Sequence, residues 1–323
     1  MNYSHLTPQN SPYGSGGSKQ TTHTILMIEP VAFGFNEQTA VNNYFQQQDL
    51  NPDTNLQPQA LTEFNEMVDL LRSRKINVLV VKDTPEPLTP DSVFPNNWIS
   101  FHGDGQAVLY PMFAVNRRME RRYDIIEYVS SHGTKINNID DFSFWEEENL
   151  FLEGTGSMIL DRTNRIAYAA LSERTAKAVL LEFCSVFHYK PVYFFANQTV
   201  FGKRLPVYHT NVMMTVADEY AVICLDTIDN INERKVVVDS LDKSGKDIIP
   251  ISEQQMNNFA GNMLQVENTN GNPVLVLSQS AFDSLNQKQK DRLSSYNELV
   301  IVSIPTIERV GGGSVRCMMA EVF

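Results

Sequence analysis

Three residues whose chemistry fits covalent catalysis lie far apart in this sequence. Cys317 follows a run of three glycines, separated from it by Ser314-Val315-Arg316. A thiol is a weak nucleophile until a neighbouring cation or base favours its thiolate form. His209 could act as that base, and Glu153 could place a carboxylate beside it. The three residue types therefore fit a nucleophilic-cysteine site, provided that the fold brings them together.

Each of the three residues also has a structural interpretation. Cys317 fits a buried core thiol beside a glycine turn, and Glu153 fits a solvated turn. A single histidine before a strand more often packs or caps than catalyses. The run Glu153-Gly154-Thr155-Gly156-Ser157 lacks the Lys-Ser/Thr of a phosphate-binding loop, and His209 has no partner at the spacing of a helical metal site. We therefore expect neither a metal ion nor an organic cofactor.

A weak repeat supplies the elements that would position these residues. Two short strands joined by a polar turn occur four times, and helix-like sequence follows each pair. The pairs begin about 50–60 residues apart, which is typical of a repeat architecture. The strand pairs lie at 97–110, 157–169, 211–225 and 262–277, and the helices at 117–131, 172–187, 232–243 and 280–295.

The two ends of the chain are expected to complete a fifth unit. Val315–Val322 could pair with Ile25–Pro30, which would close a ring and remove its free sheet edges. In a ring, the entrances of successive units converge on one axis, so Glu153, His209 and Cys317 would meet there. We prefer this α/β ring to an open α/β sheet with added hairpins, because the same order recurs without a nucleotide-binding βαβ signature.

Composition and charge exclude several classes of protein. The chain has 323 residues, a formal net charge of −12 and a pI of about 5.0, so we expect no nucleic-acid partner. No apolar run is long enough for a membrane span, and no signal-peptide core is present. Three cysteines without paired spacing favour a reducing compartment, the cytoplasm. Polar residues 1–23 predict a disordered tail, and residues 24–323 a single catalytic domain.

Six segments together resemble the guanidine-modifying, or pentein, superfamily. They are FPNNW, NRRMERR, LEGTGSMILDR, YHTNVMM, FAGNML and GGGSVRCM, and the resemblance extends over roughly residues 24–323. The superfamily includes arginine deiminases, dimethylarginine hydrolases and amidinotransferases. It implies an α/β fold, a five-bladed α/β propeller of ββαβ repeats. The sequence is most similar to arginine deiminase-related proteins that hydrolyse citrulline.

The resemblance also implies roles for particular residues. Cys317 would be the nucleophile, His209 the general acid and base, and Glu153 the carboxylate that holds a substrate nitrogen. Backbone N–H groups around Gly313 would stabilise the developing oxyanion.

Arg117 and Arg118 lie in a run of four arginines within six residues. Most such runs form a solvated helix face. The resemblance implies that Arg117 or Arg118 instead turns inward, where it would bind the substrate carboxylate in bidentate geometry.

Two asparagines depart from the deiminase pattern. At the positions of Asn97 and Asn211, the deiminases that this sequence resembles carry aspartates. Those aspartates match the positive charge of the substrate guanidinium. A guanidinium has five N–H donors and no acceptor, whereas the neutral ureido group of citrulline also has a carbonyl oxygen. Because asparagine offers a donor and an acceptor without charge, Asn97 and Asn211 favour a ureido substrate.

The expected function is hydrolysis of citrulline to ornithine, carbon dioxide and ammonia through an S-carbamoyl intermediate. Three alternatives remain open: an arginine or methylarginine hydrolase, an amidinotransferase with the same cysteine, and a non-catalytic propeller that binds an amino acid. The enzymatic alternatives all take a small ureido or guanidino amino acid as partner. The sequence leaves the oligomeric state open, with a homodimer as one option.

Overall fold

The computed structural model describes residues 19–48 and 56–323, which form seventeen strands and ten α-helices. The strands are β1 Thr24–Glu29, β2 Asn77–Lys82, β3 Ile99–His102, β4 Gln106–Leu109, β5 Asn138–Asp141, β6 Ile159–Asp161, β7 Ile166–Ala170, β8 Lys190–Phe194, β9 Asn197–Val200, β10 Lys203–Pro206, β11 Met214–Val216, β12 Tyr220–Ile223, β13 Asp247–Pro250, β14 Leu264–Glu267, β15 Pro273–Ser278, β16 Glu298–Val302 and β17 Ala320–Val322. The helices are α1 Glu37–Ala40, α2 Leu56–Ser73, α3 Tyr123–Ser131, α4 Gly154–Ser157, α5 Lys177–Val186, α6 Thr210–Met213, α7 Ile231–Lys243, α8 Glu253–Met256, α9 Gln279–Ser284 and α10 Gln287–Tyr296.

Five three-stranded sheets share one connectivity. In each, the first strand is antiparallel to the second, a helical connection follows, and the third strand is parallel to the second. The sheets are β3-β4-β5, β6-β7-β8, β11-β12-β13, β14-β15-β16 and β17-β1-β2, and an additional hairpin joins β9 to β10. The four predicted strand pairs are therefore confirmed. Among the described residues, the five sheets remain separate and do not join into one closed sheet.

The ends of the chain pair as the sequence predicted. β17 runs antiparallel to β1, with Thr24 opposite Val322 and Leu26 opposite Ala320. The strand is shorter than predicted, because residues 315–318 form a turn and pairing starts only at Ala320. Cys317 therefore lies on the turn before the strand, where no ladder fixes its side chain to one face of the sheet.

The first strand of each sheet lies deepest in the molecule. Every residue of β3, β6, β11 and β17 is buried, whereas β5 on the outside of its sheet is largely exposed. The connecting helices cover the sheets with one apolar face. In α2, for example, the buried residues Ala60, Phe64, Met67, Val68 and Leu71 recur at helical spacing. Residues that immediately precede the first strands are consequently brought together in the interior.

Two predicted helices are interrupted. The 117–131 segment begins as a 3₁₀ helix at Val115–Glu120 and continues as α3 only from Tyr123. The 280–295 segment is divided into α9 and α10, since Asn286 caps a new helix with its side chain. Helix α5 begins at Lys177, five residues after the predicted start at Ser172, and α7 agrees with its prediction to within one residue.

The predicted tail, residues 1–23, lies mostly outside the described residues. Its last residues are described from Lys19 onward, and Gln20 and Thr22 are buried. Gln20 donates to the carbonyl oxygens of Leu160 and Val216, at 3.0 and 3.1 Å. Residues 19–23 of the predicted tail are therefore part of the described structure, and Gln20 and Thr22 pack against it.

Candidate active site

Short turns before the first strands carry the candidate residues. Asn97 ends a 3₁₀ helix at Pro95–Asn97, while α4 follows Glu153 and α6 follows His209. The sequence predicted a strand after the Glu153 glycine run; the glycine run itself forms one helical turn, α4, and the predicted strand follows it as β6. Because each turn ends where a buried strand starts, its polar side chains meet in the interior.

The thiol of Cys317 lies between two asparagine amides. Asn211 Nδ2 is 3.3 Å and Asn262 Nδ2 is 3.2 Å from Cys317 Sγ, and the cysteine is only 3% exposed. The Asn262 amide is held in this orientation, because its Oδ1 accepts from the backbone N–H of Arg316 at 3.1 Å. Amide N–H groups that face a sulfur stabilise its anionic form.

His209 and Glu153 form a buried pair. His209 Nε2 is 2.7 Å from Glu153 Oε2, and Glu153 Oε1 accepts from the backbone N–H of Phe113 at 2.9 Å. Burial lowers the pKa of His209 to about 4, although the carboxylate opposes this shift. Burial by itself would raise the pKa of Glu153, but Arg174, His209 and Arg117 together lower it to about 2.

These pKa values define the histidine tautomer. An ionised carboxylate only accepts hydrogen bonds, so His209 Nε2 carries the proton and donates to Glu153. The other ring nitrogen, Nδ1, is then an acceptor. It lies beside Gly156, where a Cβ atom would be 2.9 Å from it. A basic nitrogen therefore faces the turn that also contacts Asn97.

Arg117 holds Asn97 rather than lying free in the site. Its Nη1 donates to Asn97 Oδ1 at 2.7 Å, and its Nε and Nη2 form a two-point contact with Glu120, both at 2.9 Å. Arg118 is partly exposed and points elsewhere: its Nε donates to the Met112 carbonyl oxygen at 3.0 Å and lies 3.4 Å from Glu146. Of the two predicted arginines, only Arg117 contacts another predicted site residue.

Glycines allow the close approaches around the site. A Cβ on Gly156 would come within 2.4 Å of Asn97 Nδ2, and one on Gly313 would come within 3.3 Å of the Cβ of Cys317 and 3.0 Å of the Phe94 ring. Gly313 therefore contacts the turn that carries Cys317. The backbone N–H groups of Gly312 and Cys317 already donate to carbonyl oxygens, at 3.0 and 2.9 Å. Those two are not available as oxyanion donors in this conformation.

Arg174 was not anticipated. It is 2% exposed, its Nη1 is 3.6 Å from Glu153 Oε2, and its guanidinium lies 4.9 Å from the centre of the Tyr208 ring. Its Nε donates to Asn42 Oδ1 at 2.8 Å. The sequence signal was weak, because a single arginine in the turn that follows β7 looks like an ordinary surface residue. Asn262 was also not anticipated, although it opens the fourth unit as Asn97 and Asn211 open theirs.

The segment after β1 covers the site. Asn36 Nδ2 donates to Asp91 Oδ2 at 2.8 Å, and Asn43 Nδ2 donates to the carbonyl oxygen of Gly312 at 3.3 Å. Together with the Asn42–Arg174 contact, these bonds attach residues 36–43 to three different units. Asn42 and Asn43 thus lie against Arg174 and Gly312.

Two further observations concern the described residues as a set. No group of His, Cys, Asp and Glu side chains among them is arranged to hold a metal ion. No helix formed by them is both long and apolar enough to cross a membrane.

Comparison with solved structures supports the fold. ArgZ, an arginine dihydrolase from the ornithine–ammonia cycle in Cyanobacteria, superposes with a TM-score of 0.72 at 17% identity over 93% of this chain and 40% of that chain. The present chain thus spans about two fifths of that protein. The N-terminal domain of ArgZ bound to product gives a TM-score of 0.72 at 17% identity, with 93% and 97% covered. A dimethylarginine dimethylaminohydrolase adduct with S-methyl-L-thiocitrulline gives 0.63 at 13% identity, with 93% and 99% covered.

The class of protein follows from the fold and from a family match. Among curated proteins, none matches this chain. Residues 29–323 match the family described as N,N dimethylarginine dimethylhydrolase, eukaryotic. The protein is therefore an enzyme of the pentein superfamily, a hydrolase that acts on carbon–nitrogen bonds. Within that superfamily the chain belongs to the N,N dimethylarginine dimethylhydrolase family.

Proposed function

We propose that this enzyme hydrolyses the ureido group of citrulline to give ornithine, carbon dioxide and ammonia. The observation that carries the proposal is the pair of unsatisfied amide atoms in the site, Asn97 Nδ2 and Asn211 Oδ1. One is a donor and the other an acceptor. A ureido group needs both, whereas a guanidinium would leave the donor without a partner.

The orientation of both amides follows from their neighbours. Arg117 has only N–H donors, so Asn97 must turn Oδ1 towards it and leave Nδ2 free. Asn211 directs Nδ2 at Cys317 Sγ, which leaves Oδ1 free. Exchanging O and N in either side chain would break an existing hydrogen bond. The free donor and the free acceptor are therefore properties of the packing around the site.

The charges around the site also favour a neutral substrate. Both oxygens of Glu120 accept from Arg117, and both oxygens of Glu153 have partners in Phe113 and His209. The groups that contact Cys317 Sγ are neutral amides. A substrate guanidinium there would lie beside the Cys317 thiolate, but Asp91 Oδ1 is the one carboxylate oxygen among these groups without a partner, so the charge of the cation would be only partly matched.

The proposed reaction begins with the thiolate of Cys317. It attacks the ureido carbon while Asn97 Nδ2 donates to the carbonyl oxygen, which becomes negatively charged. Neutral His209 takes the thiol proton at Nδ1 and gives it to the leaving amine, and Glu153 holds the imidazole by Nε2. An S-carbamoyl adduct remains. Water, deprotonated by His209, then adds to the adduct, the thiolate leaves, and the released carbamate decomposes to carbon dioxide and ammonia.

Arg174 is the arginine that we assign to the substrate carboxylate. Within the described residues, its Nη1 makes only the 3.6 Å ion pair with Glu153, while Nε and Nη2 are used by Asn42 and Thr39. Arg117, by contrast, has most of its N–H groups engaged, and Arg118 contacts Met112 and Glu146. Nη1 can therefore donate to one oxygen of a carboxylate.

The five sheets are, in this proposal, the blades of a five-bladed α/β propeller, and residues 24–323 form one catalytic domain. The repeated strand order and the β1–β17 pairing support it. Three free, buried cysteines support a reducing compartment such as the cytoplasm. The reaction uses no metal ion or organic cofactor.

A second candidate is hydrolysis of arginine or a methylated arginine. Its support is the family match and one buried carboxylate oxygen without a partner, Asp91 Oδ1, which could accept from a guanidinium. Burial raises the pKa of Asp91, although Arg117 opposes this shift.

The decisive experiment is a substrate panel. Purified protein is incubated with citrulline, arginine, dimethylarginine and agmatine, and both ammonia and the product amine are measured. Ammonia and ornithine from citrulline are expected. Ammonia from arginine with none from citrulline would refute the ureido assignment. A new guanidino product on addition of an acceptor amine would identify an amidinotransferase, and no product from any compound would identify a binding protein.

A further inference from the structure

Beneath the candidate active site lies a small polar cavity that the reaction does not use. It has a volume of about 20 Å³ and is lined by the inner strands β6, β11 and β14, by the end of β17 and by Gln20. Thr155, on the turn that carries Gly156, also lines it and donates to the Asn96 carbonyl oxygen at 3.3 Å. The cavity is therefore separated from the candidate site by one turn of chain.

The wall of this cavity carries a guanidinium with unused donors. Arg162 is 3% exposed, and within the described residues its Nε and Nη2 have no hydrogen-bond acceptor. Its Nε faces Glu321, which lines the same cavity, at 3.6 Å. Its Nη1 lies 3.5 Å from His102, the Tyr189 hydroxyl is a hydrogen-bond partner of this guanidinium, and the Phe323 ring lies 4.2 Å from it. Two buried N–H groups without a partner are unfavourable unless something else accepts from them.

The charges around Arg162 do not balance. Glu321 is the carboxylate beside it, but Glu321 already binds Arg316 Nη2 at 2.7 Å. The next acid, Asp161, is paired with Lys246 at 3.4 Å. Two guanidinium groups thus share the Glu321 side chain, so no carboxylate side chain among the described residues pairs with Arg162 alone. A buried charge of this kind is ordinarily compensated by a counter-charge.

We propose that the cavity binds one small anion, with chloride as the fitting species, held by Arg162 Nε and Nη2. The volume limits the guest: about 10–15 Å³ suffices for a single water, so 20 Å³ admits a monatomic ion and excludes sulfate or phosphate. A water molecule could accept from Arg162 but would leave its charge unbalanced. Bound chloride supplies both an acceptor and the missing negative charge.

Crystals of the full chain soaked in sodium bromide test this placement. An anomalous bromide peak beside Arg162 Nε and Nη2 is the expected result. A peak that fits only water in the cavity, or bromide only at surface lysines as an adventitious ion, would overturn the proposal.

Thermal unfolding provides the solution measurement. At equal ionic strength, chloride is expected to raise Tm by about 2–4 °C more than gluconate, because an anion that binds only the folded state stabilises it. Arg162→Met should abolish this difference. Arg165→Met removes the same charge three residues away without reaching the cavity, so it should retain the difference. Equal responses to chloride and gluconate in the unmodified protein would contradict chloride binding, whatever the variants do.

Discussion

Cys317 Sγ receives two amide hydrogen-bond donors from different units of the chain. Asn211 belongs to the turn after His209, and Asn262 to the turn before β14, so the two donors and the thiol come from three separate turns. Neutral amides stabilise a thiolate without adding charge to the pocket. This arrangement is consistent with the proposal of an activated sulfur and an uncharged substrate.

Replacing the nucleophile should separate catalysis from folding. Cys317→Ser changes one atom in a buried side chain, so we expect turnover to fall by roughly 10³-fold or more with little change in Tm. Ammonia release and thermal unfolding measure the two effects. Cys184→Ala is the matched control, since Cys184 is also buried but lies in α5, and it should keep its activity. Near-normal activity in Cys317→Ser would show that the nucleophile is another residue.

Removing one amide donor should reduce the reactivity of the thiol. In Asn262→Leu, a side chain of similar size no longer donates to Cys317 Sγ, and we expect alkylation by iodoacetamide at pH 7 to slow roughly tenfold. Mass spectrometry assigns the modified cysteine. Burial raises the pKa of Cys184 and Cys224 to about 12, so they should stay unmodified in the folded protein. Because no substrate is needed, an unchanged alkylation rate contradicts the donor role alone.

The pH dependence should report His209. Because burial lowers the pKa of His209 to about 4, the imidazole remains a base well below pH 6. We expect kcat/KM to keep its value down to about pH 5 and to fall around pH 4. The unfolded histidine has a pKa of about 6.5, so the neutral form stabilises the fold fully above that pH. This stabilisation is lost as the pH falls through 4.

The control for this profile is His132→Gln, which alters an exposed histidine at the end of α3 and should leave the acid limb unchanged. An acid limb centred near pH 6.5 would show that His209 is hydrated in the working enzyme.

At the scale of elements, short helical turns before the inner strands position the site. A helical turn places residues three positions apart on one side, whereas a strand alternates successive residues between two faces. Helix α4 illustrates the requirement for small residues, because Gly156 lies against both Asn97 and His209.

Adding one methyl group to this turn should disrupt the site. In Gly156→Ala, Cβ would meet Asn97 Nδ2 at 2.4 Å and the His209 ring at 2.9 Å, so one of them must move. A displacement near 1 Å in a catalytic group lowers activity by about 10²-fold, which initial rates would detect. Gly103→Ala serves as the control, since its Cβ would have only an ordinary 3.8 Å contact. Equal activity of the two variants would mean that the turn is more adaptable than its packing indicates.

In the molecule as a whole, the pairing of β17 with β1 joins the two ends of the described chain beside Cys317. Cys317 is three residues from β17, and Arg316 is tied to Glu321 in that strand. The Thr22 hydroxyl also donates to the Val322 carbonyl oxygen at 2.6 Å. The geometry of the thiol therefore depends on contacts between residues about 300 positions apart.

A charge in this junction should destabilise the whole fold. Val322 is 2% exposed, so Val322→Asp buries a carboxylate without a partner and should lower the free energy of unfolding by about 3 kcal/mol or more. Urea unfolding measures this change. Val236→Asp, at a side chain that is 55% exposed on α7, should change it by less than about 0.5 kcal/mol. Similar midpoints for the two variants would mean that the chain ends contribute little to stability.

The sequence was sufficient to predict the repeated strand pairs, the pairing of the chain ends and the three residue types of the site. Alternating apolar segments and polar turns are local signals, and Cys317, His209 and Glu153 each occur at the start of a unit. The same pattern indicated neutral amides at Asn97 and Asn211, because residue type alone decides whether a position carries charge. Local patterns cannot show which side chains meet, however.

The contacts between these side chains become visible only in the folded structure. In the structure, Arg117 donates hydrogen bonds to Glu120 and Asn97. Arg174 lies beside Glu153, and Asn262 donates to the thiol of Cys317. Each contact joins residues from different turns or units, and its geometry depends on how the sheets pack against one another. The same packing buries His209 and lowers its pKa, and it leaves Arg162 with donors facing an enclosed cavity. Burial and orientation are properties of the folded chain, and no spacing of residue types encodes them.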